Sequence, residues 1–188
     1  MNDIKTKKDL YHQTPLKVLS FLSNHPGMVF SAAEISKSTN SSKGATNQIL
    51  RLLLELDILS REEKGNLFLY RLNADNLVLR QFKIFENLLG LQNLAKELQK
   101  YCYEIVLFGS RADGSNTGKS DIDLFIRTEH KKEVRRIITK YETAEAKYQV
   151  IIQDPLESAS ARKEDHVFHR QVQKGITLWK GKPTSEEV

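Results

Sequence analysis

The sequence predicts an α+β protein built from two units of different texture. Short apolar stretches at helical spacing and one turn-rich hairpin occupy the first 73 residues. From residue 104 onward, apolar strands alternate with amphipathic helices, which favours a mixed sheet with flanking helices. A long helical pattern lies between them, so the expected division is 1–73, a connecting helix over 74–103, and 104–188.

The composition is typical of a cytoplasmic protein with packed cores. Of its 188 residues, 39% are hydrophobic and 28% are charged, which is outside the range of disordered chains. The sequence has no apolar run near the roughly 18 residues of a membrane span and no secretory signal at its start. Cys102 is the single cysteine, which excludes an internal disulfide framework. We therefore expect a cytoplasmic location and no membrane partner.

The first unit reads as three short helices followed by a hairpin. The predicted helices cover 15–23, 32–38 and 42–56, and the predicted strands cover 58–62 and 67–72. Ser31 and Glu34 have the spacing of a capping box, which predicts the start of the second helix. The predicted buried stripe of the third helix consists of Ala45, Ile49, Leu52, Leu53 and Leu56.

The opposite face of the third helix is predicted to bind double-stranded DNA. It carries Lys43, Thr46, Asn47 and Arg51, which suit phosphate and base-edge contacts in a major groove. Residues 1–73 contain ten basic and seven acidic groups, so the local positive excess is modest. A protein-interaction module remains the alternative.

In the second unit, the sequence pattern predicts strands over 104–108, 121–126, 147–153 and 176–179 and helices over 130–140 and 165–174. Its first strand ends at Gly109 and Ser110, where a glycine lets backbone N–H groups approach phosphate oxygens closely. Asp121 and Asp123, at i and i+2 on the next strand, share one face. Two carboxylates so placed suit Mg²⁺ or Mn²⁺, and their mutual repulsion favours a bound cation. This spacing predicts metal-dependent handling of a nucleoside triphosphate.

Two basic residues flank this loop. Arg111 and Lys119 could contact phosphate, and they fit solvated loop charges equally well.

Two segments of the second unit resemble the signature of the DNA polymerase β-like nucleotidyltransferases, and most of all the minimal nucleotidyltransferases. The segments read Phe108-Gly109-Ser110-Arg111-Ala112-x-Gly114 and Ser120-Asp121-Ile122-Asp123-Leu124. The resemblance covers about 104–181 and implies that Gly109 and Ser110 hold the triphosphate and that Asp121 and Asp123 are catalytic metal ligands. Residues 14–72 resemble the winged helix of small bacterial and archaeal repressors.

One position departs from that signature. The family has a third carboxylate on the next core strand, and Gln149 stands at the matching place. An amide is neutral and cannot act as a general base or an anionic metal ligand. Asp154, five residues on, would face the other way along a regular strand unless a bulge intervenes.

These features leave two functions open. The first is an enzyme that transfers a nucleoside monophosphate from an NTP to a hydroxyl of a protein or nucleic acid, and the resemblance adds a toxin-like protein as a partner. The second is a transcriptional regulator whose degenerate nucleotidyltransferase fold senses a nucleotide or serves as a scaffold for a homodimer. The Gly-Ser turn and the two aspartates favour the first function, and Gln149 favours the second.

Overall fold

The structure, a computed structural model, describes residues 14–144, 146–164 and 166–183. The chain separates into two units, Met1–Lys83 and Ile84–Val188. The division therefore falls inside the long helix rather than on either side of it. Leu79 of this helix packs into the first core, whereas Leu91, Leu94 and Leu98 pack into the second.

Over residues 14–72, the first unit has three helices and a three-stranded antiparallel sheet. In chain order its elements are α1 (Thr14–Ser23), β1 (Val29–Ser31), α2 (Ala32–Ser38), α3 (Lys43–Glu55), β2 (Leu59–Lys64) and β3 (Leu67–Leu72). The sheet order is β1-β3-β2. The predicted capping box is present, because Ser31 accepts from the Glu34 N–H and the Glu34 side chain accepts from the Ser31 N–H. The strand β1 was not predicted, since three residues carry little periodicity.

The predicted buried stripe of α3 is wrong in part. Leu52 and Leu56 are 48% and 52% exposed, whereas Leu50 is buried. The buried face is Thr46, Ile49, Leu50 and Leu53, at the spacing of one helical face. Thr46 was predicted to contact DNA, and this is a correction: it is fully buried and its hydroxyl donates to the Ser42 carbonyl at 3.0 Å.

The second unit is built on a four-stranded mixed sheet. Its elements, beginning with the helix that crosses the boundary, are α4 (Leu77–Leu98), β4 (Glu104–Phe108), α5 (Ser110–Asp113), β5 (Ile122–Arg127), α6 (Lys131–Tyr141), β6 (Tyr148–Gln153), α7 (Pro155–Glu164), α8 (His166–Gln173) and β7 (Ile176–Lys180). The sheet order is β6-β5-β4-β7. The pair β5 and β6 is parallel, and the other two pairs are antiparallel.

The two faces of this sheet bury different clusters. One face carries Leu107, Leu124 and Ile126 into a core shared with α4 and α6. The opposite face carries Val106, Phe108 and Phe125 against Val172 of α8. Residue alternation along β5 thus sends its aliphatic residues into the larger core and leaves Asp123 on the face with Phe125.

Two helices of this unit, α5 and α7, were not predicted. Helix α7 begins at Pro155 after Asp154, whose carboxylate accepts from the Glu157 N–H at 2.8 Å, while the Glu157 carboxylate accepts from the Asp154 N–H. That pattern of cap, first-turn proline and glutamate was a readable signal. In the part of the chain that the structure describes, we find no helix with the length and apolar character needed to cross a bilayer.

Candidate active site

The turn after β4 brings the backbone of Gly109 against the carboxylate of Asp123. Phe108 and Asp123 are cross-strand partners, so the turn lies directly beside this side chain. Gly109 has φ 69° and ψ −156°, a conformation that is essentially restricted to glycine. A Cβ at this position would lie closer than 3.0 Å to the Asp123 Oδ2 and 3.1 Å from its Cγ. Glycine is therefore required here both for its backbone conformation and for the close approach.

Ser110 follows as the first residue of α5, a single turn of helix. The Gly109 carbonyl accepts from the N–H groups of Ala112 and Asp113, and the Ser110 carbonyl accepts from the N–H of Asn116 at 3.1 Å. These bonds shape the loop that leads from the glycine to the aspartates. Their effect is to hold the Ser110 backbone beside the end of β4.

The two aspartates are electrostatically coupled. Asp123 is half-buried, and its neighbours Ile122 and Leu124 are anchored in the core. Burial raises the pKa of the Asp123 carboxyl, the negative charge of Asp121 raises it further, and Arg111 offsets part of the rise. A bound cation would favour the ionised form and relieve both effects.

Arg111 holds the loop that carries the first aspartate. Its Nε donates to the carbonyls of Ser120 and Asp121 at 3.2 and 3.0 Å, and one terminal nitrogen donates to Ser120 at 2.6 Å. Its other terminal nitrogen donates to the Asn87 Oδ1 at 3.1 Å. This guanidinium thus fixes the backbone before β5, and a contact with phosphate stays a prediction for it.

The predicted site residues line two clefts of the second unit. The first, of about 490 Å³, is lined by Gly109, Ser110 and Asp123 together with Lys174 and others, and we call it the Gly109 cleft. The second, of about 370 Å³, is lined by Asp121, Lys119 and Lys147 with others, and we call it the Asp121 cleft. The structure therefore brings Gly109, Ser110 and Asp123 together in one cleft and places Asp121 and Lys119 in the other. The prediction that both aspartates lie on the strand is wrong for Asp121, because β5 begins at Ile122.

Gln149 occupies the position expected for the missing acid. Parallel pairing of β5 with β6 makes it the register partner of Asp123, and its side chain is exposed rather than buried. Asp154 does not replace it. Asp154 lies beyond the opposite end of β6, about 16 Å along the strand at ~3.3 Å per residue, where it caps α7 and pairs with Lys131 at 3.3 Å.

The donor set fits a hard divalent cation held by two carboxylates. Oxygen ligands, few in number and completed by water and substrate phosphates, are what Mg²⁺ prefers. Within residues 14–144, 146–164 and 166–183, no cluster of three or more His, Cys, Asp or Glu side chains could hold a metal by itself. A divalent ion at Asp121 or Asp123 would therefore need further ligands from water or substrate phosphates.

Lys174 was missed by sequence reasoning. It follows α8, far from the Gly-Ser turn in sequence, and lines the Gly109 cleft. The dipeptide Lys174-Gly175 at a helix end marks a turn, but a turn signal does not reveal which cleft the turn reaches.

A comparison with protein families agrees with this geometry. Residues 91–176 match the family model described as Nucleotidyltransferase domain. The matched segment spans under half of the chain and contains the Gly-Ser turn, both aspartates and Gln149. It supports nucleotidyl transfer as the general chemistry of the second unit.

Two solved structures are similar to parts of the chain. One is human N-acetylserotonin methyltransferase in complex with SAM, with 20% identity over 47% of this chain and 29% of that chain, and a TM-score of 0.31. The other is a candidate nucleotidyltransferase from Sulfolobus solfataricus, with 19% identity over 52% of this chain and 87% of that chain, and a TM-score of 0.32. At these scores neither likeness carries an argument. No curated protein matches the chain.

Proposed function

We propose that the second unit binds an NTP with Mg²⁺ or Mn²⁺ and transfers a nucleoside monophosphate to a hydroxyl of a protein or nucleic acid. The observation that supports this most is the junction of Gly109, Ser110 and Asp123 in one cleft, within the segment that matches the family model. Pyrophosphate would be the leaving group.

Each residue has a distinct task in this proposal. The Gly109 backbone and the Ser110 hydroxyl bind phosphate oxygens, and the absent Cβ of Gly109 lets the Asp123 carboxylate lie against the same turn. Asp121 and Asp123 hold the divalent ion, which when bound neutralises charge on the phosphates and on the leaving oxygen. Arg111 orients Asp121 through the backbone carbonyls it binds.

Gln149 limits the proposed reaction at its first step. The acceptor hydroxyl must lose a proton, and an amide beside Asp123 cannot take it. We therefore expect the protein to bind a nucleotide but to transfer the nucleoside monophosphate slowly. This same observation favours the second candidate, a regulator that senses nucleotide without transferring it.

The test is transfer from labelled NTPs to acceptors in a cell lysate, with Mg²⁺ or Mn²⁺. Wild type, Gln149→Asp and Asp123→Asn are compared under identical conditions. Enzymatic function predicts a labelled product that requires Asp123 and increases with Gln149→Asp. If none of the three proteins labels any acceptor while wild type still binds an NTP, the result favours the regulator that senses nucleotide.

For the first unit we propose a winged helix that binds double-stranded DNA. The order of three helices and three strands, with β2 and β3 as the wing, supports this proposal. Lys43, Asn47 and Arg51 are exposed on α3 and would contact the groove and backbone. On the wing, the Arg61 guanidinium lies 4.2 Å from the centre of the Phe68 ring.

The measurement for this unit is the salt dependence of binding to genomic DNA fragments. Affinity should fall steeply with salt, because Lys43 and Arg51 displace counterions from phosphates. Salt-independent binding, or none near physiological salt, would favour the protein-interaction alternative.

A further inference from the structure

Over the residues that the structure describes, the lining of the Gly109 cleft contains one basic side chain. Among the described residues that line this cleft, Lys174 alone is basic, and Asp113 and Asp123 are acidic. Arg111 donates to backbone carbonyls, and Lys119 lines the Asp121 cleft. Lys174 would thus supply the positive side-chain charge for a polyphosphate bound in the Gly109 cleft.

The backbone fixes Lys174 at this cleft. Its N–H donates to the Arg170 and Gln171 carbonyls at 3.2 Å, and the Gly175 N–H donates to Val172 at 2.9 Å, which closes the end of α8. Gly175 has no room for a side chain. A Cβ there would lie 2.8 Å from the Val106 Cγ1 and closer than 3.0 Å to the Leu107 carbonyl oxygen.

This close packing places the turn against β4, the strand that ends at Gly109. The backbone packing at Gly175 therefore holds Lys174 close to the turn at Gly109. Lys174 is exposed, and within the described residues no ion pair engages its ammonium group. Its three N–H donors are available to a ligand.

We propose that Lys174 binds the phosphate tail of the nucleotide in the Gly109 cleft. This inference rests on the proposed function and adds a binding residue outside the Gly-Ser and Asp-x-Asp segments. A lysine is a point charge on a flexible stem, so its contribution should follow the charge of the phosphate chain and not the identity of the base.

The test uses the full chain and two probes, Mg²⁺-ATP and Mg²⁺-tripolyphosphate, with binding measured by isothermal titration calorimetry. Tripolyphosphate has no base and therefore reports the phosphate contact alone. The variants are Lys174→Gln and Lys174→Arg, with Lys132→Gln as the matched control because it removes an exposed lysine of α6 that lines neither cleft.

Lys174→Gln should weaken both probes about tenfold, as expected for the loss of a charge-assisted hydrogen bond. Lys174→Arg should keep most of the affinity, and Lys132→Gln should change it less than twofold. Thermal unfolding should be unchanged, because the side chain is exposed.

Equal affinities of wild type and Lys174→Gln for both probes would overturn this inference while leaving the proposed function intact. Equal losses in Lys174→Gln and Lys132→Gln would also overturn it, since they would show a general charge effect. A wild type that binds neither probe would instead refute the proposed function, and the inference with it.

Discussion

Replacement of Gly109 by alanine tests whether the turn is built around the Asp123 carboxylate. The glycine has φ 69° and ψ −156°, where a residue with a side chain is strained by about 1–3 kcal/mol. The added Cβ would also lie 3.1 Å from the Asp123 Cγ and closer still to Oδ2, so the carboxylate must move. We expect the second unit to lose about 2 kcal/mol of its free energy of unfolding and its metal-dependent ATP affinity.

Trp179 makes the stability measurement specific. It is the single tryptophan and packs against the core of the second unit, so its fluorescence during urea unfolding reports that unit. Calorimetric titration with Mg²⁺-ATP reports the site.

Gly65→Ala is the control. Gly65 also has a positive φ of 61°, but a Cβ there meets nothing within 4 Å, and the residue belongs to the first unit. It should leave both the Trp179 transition and ATP affinity unchanged. Wild-type stability and ATP affinity in Gly109→Ala would show that the turn is not built around the Asp123 carboxylate.

Five further substitutions test the contacts around the two candidate sites. Asp123→Asn should stabilise the second unit slightly at neutral pH without metal, because burial and Asp121 raise the pKa of this carboxyl and make its ionised form costly. The gain should shrink toward pH 4, where the wild-type carboxyl becomes protonated in the folded and then in the unfolded chain; urea titrations at several pH values measure it. Arg111→Gln should cost about 2 kcal/mol in urea unfolding, and Arg111→Lys should not restore it, since the single nitrogen of a lysine cannot replace the three separate nitrogens by which Arg111 reaches Ser120, Asp121 and Asn87. In the first unit, Arg51→Gln should lower the salt slope of DNA binding by about one, whereas Thr46→Val should leave that slope unchanged because Thr46 is buried.

Local patterns predicted the elements that carry the site. The alternation of acids with Ile122 and Leu124 predicted a strand with one core face, and the structure has β5 there. The glycine at the end of β4 predicted a tight turn, and Gly109 adopts a conformation that requires it. The resemblance placed Gln149 on the strand next to the aspartates, and the observed register makes it the partner of Asp123.

Features that depend on contacts distant in sequence were not predictable. Periodicity alone did not decide which neighbouring helical face of α3 packs inward, so Thr46 was placed outside. The carbonyl contacts of Arg111 and the approach of Lys174 to the Gly109 cleft both depend on how loops fold over the sheet. Sequence spacing carries no information about such contacts.

Calorimetric titration of the full chain with ATP tests whether the two aspartates bind a nucleotide through a divalent ion. Wild type should bind ATP with Mg²⁺ or Mn²⁺ and lose most of that affinity with EDTA. Asp121→Asn and Asp123→Asn should each lose the metal dependence while remaining folded. ATP binding that is the same with and without metal, or that is unchanged in both variants, would show that the two aspartates do not bind a nucleotide through a divalent ion.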